Sequence, residues 1–205
     1  TSNTLVGAIA ARLGLQLGRL DADGVVTLAL PVSVRVEGDT RANALEAATV
    51  RIDPSDLAKD LTGLRAATKA ALLASAGQSA DVTAALSLVP LMPAPLVRRT
   101  EAVAMGAASS PVGCSNYGDM PDAVARIDGG DPVDVWVRLN ELGQTAEDLD
   151  RIGGLLYVLS WRTLGSVFFS VIARPVGGGL DQDELHDIVA DTLGEFELIG
   201  TSITR

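Results

Sequence analysis

Histidine, cysteine and lysine are almost missing from this sequence, which holds one His, one Cys and two Lys in 205 residues. A single cysteine, Cys114, cannot close an internal disulfide, and the N-terminus lacks the charged head and long apolar run of a secretory signal. Both absences suit a cytoplasmic protein. No window reaches ~18 uninterrupted apolar residues, so no helical membrane span is expected, although peripheral contact with lipid is compatible with the composition. Cations are scarce as well: 16 Lys and Arg face 26 Asp and Glu, for a formal net charge of -10. Such a chain repels a phosphate backbone, and no stretch interleaves arginine with aromatics, so nucleic acid is not an expected partner. Aromatic residues make up 3 % of the chain. Its core must therefore be packed from small aliphatic side chains, which bring elements close together.

What is present supports a sizeable core: hydrophobic residues reach 47 %, enough for one domain spanning 1–205. Residues 2 to 18 set Leu5, Ile9, Leu13 and Leu17 at helical spacing behind Ser2 or Asn3 as a cap, which predicts an amphipathic helix. "VVTLALPVSVRV" alternates as a strand, with Pro31 marking an edge or a bulge because it has no backbone donor. A second strand around Ala47 to Ile52 leads to Asp53 and Pro54, a start signal for a helix continued by Leu57, Leu61, Leu64, Thr68 and Leu72. From Asp81 to about Met105 a helical stretch is interrupted by Pro90, Pro93 and Pro95. Strands follow near Val112 to Asn116, from Val133, from Leu155 and from Ser166, the last three spaced as an antiparallel meander or hairpins. Asp181 and Glu184 then form a capping box for a final helix that buries Leu185, Ile188, Val189, Leu193 and Phe196. This order predicts an α/β sandwich, with a mixed, largely antiparallel sheet and helices packed on it.

Candidates for chemistry are few. Histidine is the side chain best suited to general-base work near neutral pH, and His186 sits in the last helix between acidic neighbours, as a surface residue would. Cys114 lies in a strand without a basic partner nearby in sequence and reads as a small hydrophobe. Asp128, Asp131 and Asp134 lack the alternate-position spacing of a calcium loop and read as a solvated turn, so no metal is expected. "PVGGGLDQDE" is glycine-rich, but its exit is acidic and it has no Gly-Lys-Ser/Thr ending, which excludes a nucleotide loop. There remain Ser115, Asn116, Tyr117, Gly118 and Asp119 at a strand end, where Ser and Asn can donate to a developing oxyanion or fix a turn.

Taken in order, "NTLVGAIAARLG", "LALPVSVR", the Leu-spaced helix, the proline-broken helix, "CSNYGDMP" and "FFSVIARPVGGGLDQDELHDIVADTLGEF" resemble the C-terminal half of the condensation-like acyltransferases with the chloramphenicol acetyltransferase fold. The similarity is greatest to the wax ester synthase and diacylglycerol acyltransferase branch and its polyketide-associated relatives. In that family an N-terminal half carries a His-His-x-x-x-Asp-Gly motif whose second histidine deprotonates the acceptor, and this motif is absent here. Donor and acceptor enter a channel from opposite ends, and the C-terminal half supplies one wall. The resemblance places Asn3 where the family's Asn-Asp pair opens a helix, with Thr4 in place of the Asp. Ser115 and Asn116 match a Ser-Asn that precedes a turn, and Gly118 keeps the turn in kind while its neighbours differ.

The resemblance implies no catalytic residue in this chain, and Asn3, Ser115, Asn116 and Gly118 as orienting residues on the channel wall. It implies acyl-CoA or an acyl carrier protein as donor substrate, no covalently bound cofactor, and the N-terminal half of the same enzyme as partner. A face shaped for that partner should expose apolar surface and favour a homodimer or contact with lipid-like ligands. The alternative is a non-catalytic module of the same fold that binds an acyl chain or a carrier protein.

Overall fold

The computed structural model describes residues 2–41, 44–75, 89–97, 110–126, 128–130, 144–163 and 165–201. Five strands, β1 (Val26–Ser33), β2 (Leu45–Ile52), β3 (Val112–Asp119), β4 (Leu155–Thr163) and β5 (Ser166–Arg174), form one sheet in the order β2-β1-β3-β4-β5. β1, β3 and β4 run parallel through the middle, while β2 and β5 pair antiparallel at the edges. The antiparallel ladders extend along whole strands, whereas β1 meets β3 only at Leu28–Val112 and Ala29–Gly113. The result is the expected α/β sandwich on a mixed, largely antiparallel sheet. The expected strand from Val133 lies outside the described residues. Of the proline-interrupted stretch, Val89–Leu91 forms a 3-10 turn and 94–97 a helical turn, with the break between them at Met92 and Pro93.

Helix α1 (Ser2–Gln16) departs from the amphipathic reading. It buries Thr4, Val6, Ala8, Ile9, Ala11 and Leu13 on several sides at once, because it lies over β1, β3 and β4 with α2 (Thr62–Ser75) and the final helix α5 (Gln182–Glu195) packed against it. Small residues make this possible. A Cβ at Gly14 would stand 3.0 Å from the γ-carbons of both Val26 and Val112, so glycine lets the helix seat directly on β1 and β3. Ile9, Leu13, Leu28 and Leu64 are at most 1 % exposed, each contributing about 1.5–3 kcal/mol through burial. Gly18, at φ +69°, ends α1 in a Schellman turn in which Arg19 N donates to Gly14 O (2.7 Å) and Gly18 N to Leu15 O (3.1 Å).

Two expected helix starts come out differently. Asp53 accepts from the amide and hydroxyl of Ser55 and so closes a local turn; α2 begins later, at Thr62, whose amide donates to Asp60. Asp181 does cap α5, accepting from Glu184 N at 2.8 Å. The reciprocal capping box instead occurs at Thr145 and Asp148, before the short helix α4 (Ala146–Arg151), which follows another short helix, α3 (Asp122–Ala125). α1 and α5 are tied by Arg12, whose Nε and Nη2 grip the two oxygens of Glu195 at 2.6 and 2.7 Å.

Candidate functional site

The parallel strands end on one side of the sheet, and α1, which runs opposite to them, starts there. Gly14 packs over Val112 and Val26 at the strands' beginnings, while Asn3 meets Asn116 near the end of β3. Ligands of α/β sheets collect at such carboxyl ends. Here β1 and β3 have no paired positions beyond Ala29 and Gly113, so the two strands part. Pro31 sits in that unpaired half of β1, facing β2 through its Ala47 partner. β1 is thus an interior strand where it begins and an edge where it ends, which is how it tolerates a residue without a donor.

β3 also breaks register with β4 between Asn116 and Asp119. Gly118 takes φ +69° inside this irregularity, a conformation that costs glycine little, and its amide donates to Asn116 Oδ1 at 3.0 Å. That bond fixes the amide's orientation. With Oδ1 committed to Gly118 N, Asn116 Nδ2 faces α1, donating to Asn3 Oδ1 at 2.5 Å and to Ser2 Oγ at 3.3 Å. Asn3 must then present its oxygen to Asn116 and its NH2 outward. Among the described residues no acceptor takes Asn3 Nδ2, and Asn3 is exposed. Asn3 therefore offers an available donor at this end of the sheet, and Asn116 is the residue that aims it. No acidic side chain stands in the first turn of α1 to offset the positive end of its dipole.

Of the four residues singled out from sequence, Asn3, Asn116 and Gly118 come together. Ser115 does not. Strand alternation sends Val112, Cys114 and Asn116 toward α1, and Gly113, Ser115 and Tyr117 to the opposite face, where the ring of Tyr157 lies against Gly113. Thr4 is buried at 5 % exposure, so its hydroxyl is no part of the exposed site. Cys114 is buried under α1 and its thiol is pushed up to about 12 by desolvation, which leaves it protonated and unreactive at neutral pH. His186 is exposed on α5. Beside the turn, Arg162 Nη2 pairs with Asp119 at 2.9 Å and Arg162 O accepts from Met120 N, closing the end of β3 onto β4.

Among the described residues no group of three His, Cys, Asp or Glu side chains could hold a metal ion. Asp128 accepts from Gly130 N within its own loop at 2.9 Å, while Asp131 and Asp134 lie outside the described residues. No described helix is long and apolar enough to cross a membrane. Sequence reasoning missed Ser2 and the outward donor of Asn3, because an asparagine pair so distant along the chain leaves no local pattern. Comparison with known protein families, curated proteins and solved structures finds no match.

Proposed function

We propose that this chain forms one wall of the channel of an acyl-thioester-dependent acyltransferase, using acyl-CoA or an acyl carrier protein as donor. The observation that supports this reading is the exposed amide of Asn3, whose NH2 no described residue accepts and which Asn116 orients where α1 has its positive end and three parallel strands have their carboxyl ends. When an acceptor hydroxyl or amine attacks the thioester carbonyl, charge gathers on the carbonyl oxygen. A fixed amide donor and an uncompensated helix terminus suit that charge.

This reading takes the proton acceptor from elsewhere. Cys114 is buried and protonated, and His186 is exposed on another helix. In this reading a histidine from a separate N-terminal segment docks beside Asn116. It takes the acceptor's proton as the new C–O or C–N bond forms, and returns it to the departing thiolate as the C–S bond breaks. Tyr117, 57 % exposed, and Tyr157, 36 % exposed, offer apolar surface for such a partner on the sheet face opposite α1.

Calorimetric titration of the chain with octanoyl-CoA and with free CoA tests the reading. Octanoyl-CoA should bind, and Asn3→Ala should weaken it about five- to tenfold, as expected for one lost hydrogen bond, while binding of free CoA is unchanged. Failure of both octanoyl-CoA and an octanoyl carrier protein to bind overturns the proposal. Binding that persists without any transfer, even when a segment bearing the His-His-x-x-x-Asp-Gly motif is supplied, turns the reading to a non-catalytic acyl-binding module.

A further inference from the structure

The two helices that flank α1 carry charge of opposite sign. α2 holds two cations, Arg65 and Lys69, and no acid, whereas α5 holds five acids and no Lys or Arg. Elsewhere on the described surface the signs are interleaved and pair locally, as in Arg41–Asp39, Arg51–Asp21 and Arg151–Asp148. On α2, Arg65, Lys69 and Leu73 follow one another at four-residue spacing on the exposed side of the helix, Leu73 being 71 % exposed. On α5 the same spacing lines up Asp183, Asp187 and Asp191, all exposed. Like charges one turn apart repel and weaken a helix, and neither stripe holds an opposite charge at that spacing to relieve it. The next position on the α5 stripe, Glu195, is met by Arg12 of α1, so the described cations reach the end of the stripe and leave its middle unmatched.

The arrangement of the two stripes makes the face self-complementary. α2 packs on β2 at one edge of the sheet, and Ile188, Val189 and Leu193 of α5 join the core that includes Phe169 and Val171 of β5 at the other. A two-fold axis parallel to α1, set above the helix layer, therefore brings each copy's α2 over its partner's α5. Beside the charges stand Ala66 and Ala70 on α2 and Ala190 and Gly194 on α5, all exposed. A Cβ at Gly194 would meet nothing within 4 Å, so the surface there is open to a side chain such as Leu73 from outside. An anionic lipid surface or a uniformly acidic protein would suit α2 but be repelled by α5. A second copy of the chain presents both signs in the order required.

We infer that this helix face is a docking surface for a second copy of the chain, forming an isologous dimer in which Arg65 and Lys69 of each copy meet Asp183, Asp187 and Asp191 of the other. The formal net charge of -10 on each copy opposes association, so the dimer is a weak one with a micromolar Kd. The contact uses none of the residues assigned to acyl transfer and stands independently of that reading.

Sedimentation velocity over a micromolar concentration series provides the test. Wild type should pass from monomer to dimer and stop there. Lys69→Glu and Asp187→Lys should each weaken dimerisation about tenfold or more, since each turns two attractive contacts into repulsive ones. An equimolar mixture of the two variants should dimerise as wild type does, because both contacts of the mixed pair again join opposite charges. Asp187→Lys is the decisive variant: it lessens the net charge, and so would tighten any association governed by that charge alone. Both positions are exposed, so each variant should keep the wild-type Tm. A wild-type monomer throughout the series, a mass that climbs past the dimer, a dimer that Asp187→Lys leaves intact, or variants that stay monomeric when mixed overturns the inference.

Discussion

The two ends of α1 handle polarity in opposite ways. At its start, Ser2, Asn3 and Asn116 are polar, accessible and bonded to one another, so each constrains the next and one donor is left to face outward. At its finish, Arg19 is charged and buried, and among the described residues its side chain makes one long hydrogen bond. Exposed polar groups can satisfy themselves with water, so their mutual bonds serve orientation. A buried cation has far less recourse to water, so its enclosure is costly unless a partner meets it. The same rigid helix carries both, because Arg12–Glu195 and the buried face between them stop it from moving to relieve either end.

The sharpest way to break this comparison is to loosen the helix. Leu13→Ala, at a fully buried position near Arg19, should cost about 2–5 kcal/mol in denaturant unfolding, and Leu5→Ala, half-buried near the start, distinctly less. Equal costs would mean that the two halves are equally anchored. Beneath the helix, folded Cys114 keeps its proton up to about 12, whereas an unfolded thiol loses it near 9. The unfolded state then binds fewer protons between those values, so stability falls as pH rises through them, by up to ~1.4 kcal/mol per pH unit. Cys114→Ala should remove that share of the alkaline slope, and parallel wild-type and variant curves from pH 9 upward would refute it. A double-mutant cycle on Arg12 and Glu195 should return a coupling of about 1 kcal/mol, since the pair is bidentate but only partly buried. Smallest is Asn116→Ala, at about 0.5–1.5 kcal/mol. Its more telling readout is octanoyl-CoA affinity, which should drop nearly as far as in Asn3→Ala if Asn116 works by aiming Asn3.

Local signals carried much of the fold. β1 sits where alternating apolar residues place it, β2, β4 and β5 fall on the short apolar segments expected as strands, and Asp181 starts α5 because a carboxylate before an apolar-periodic run accepts first-turn amides. The start of α2 misled, since the same capping chemistry at Asp53 closes a turn on Ser55. The all-round burial of α1 could not be read from a period of four, because alanines and glycines carry no mark of which neighbour will cover them. In the site, the strand-end turn was legible from Asn116 and Gly118, and the face of Ser115 followed only from the register of β3 on β4.

By itself the sequence determined the class of core, the order of strands and helices and the poverty of titratable catalysts, since composition and short-range periodicity act on neighbours along the chain. Only the tertiary structure decided that Asn116 aims Asn3, that β1 parts from β3, and that Arg19 is enclosed with no acid among the described residues at ion-pair distance. Each of these depends on which distant residues share a few ångströms of space, and hydrogen bonding and desolvation are set at that distance.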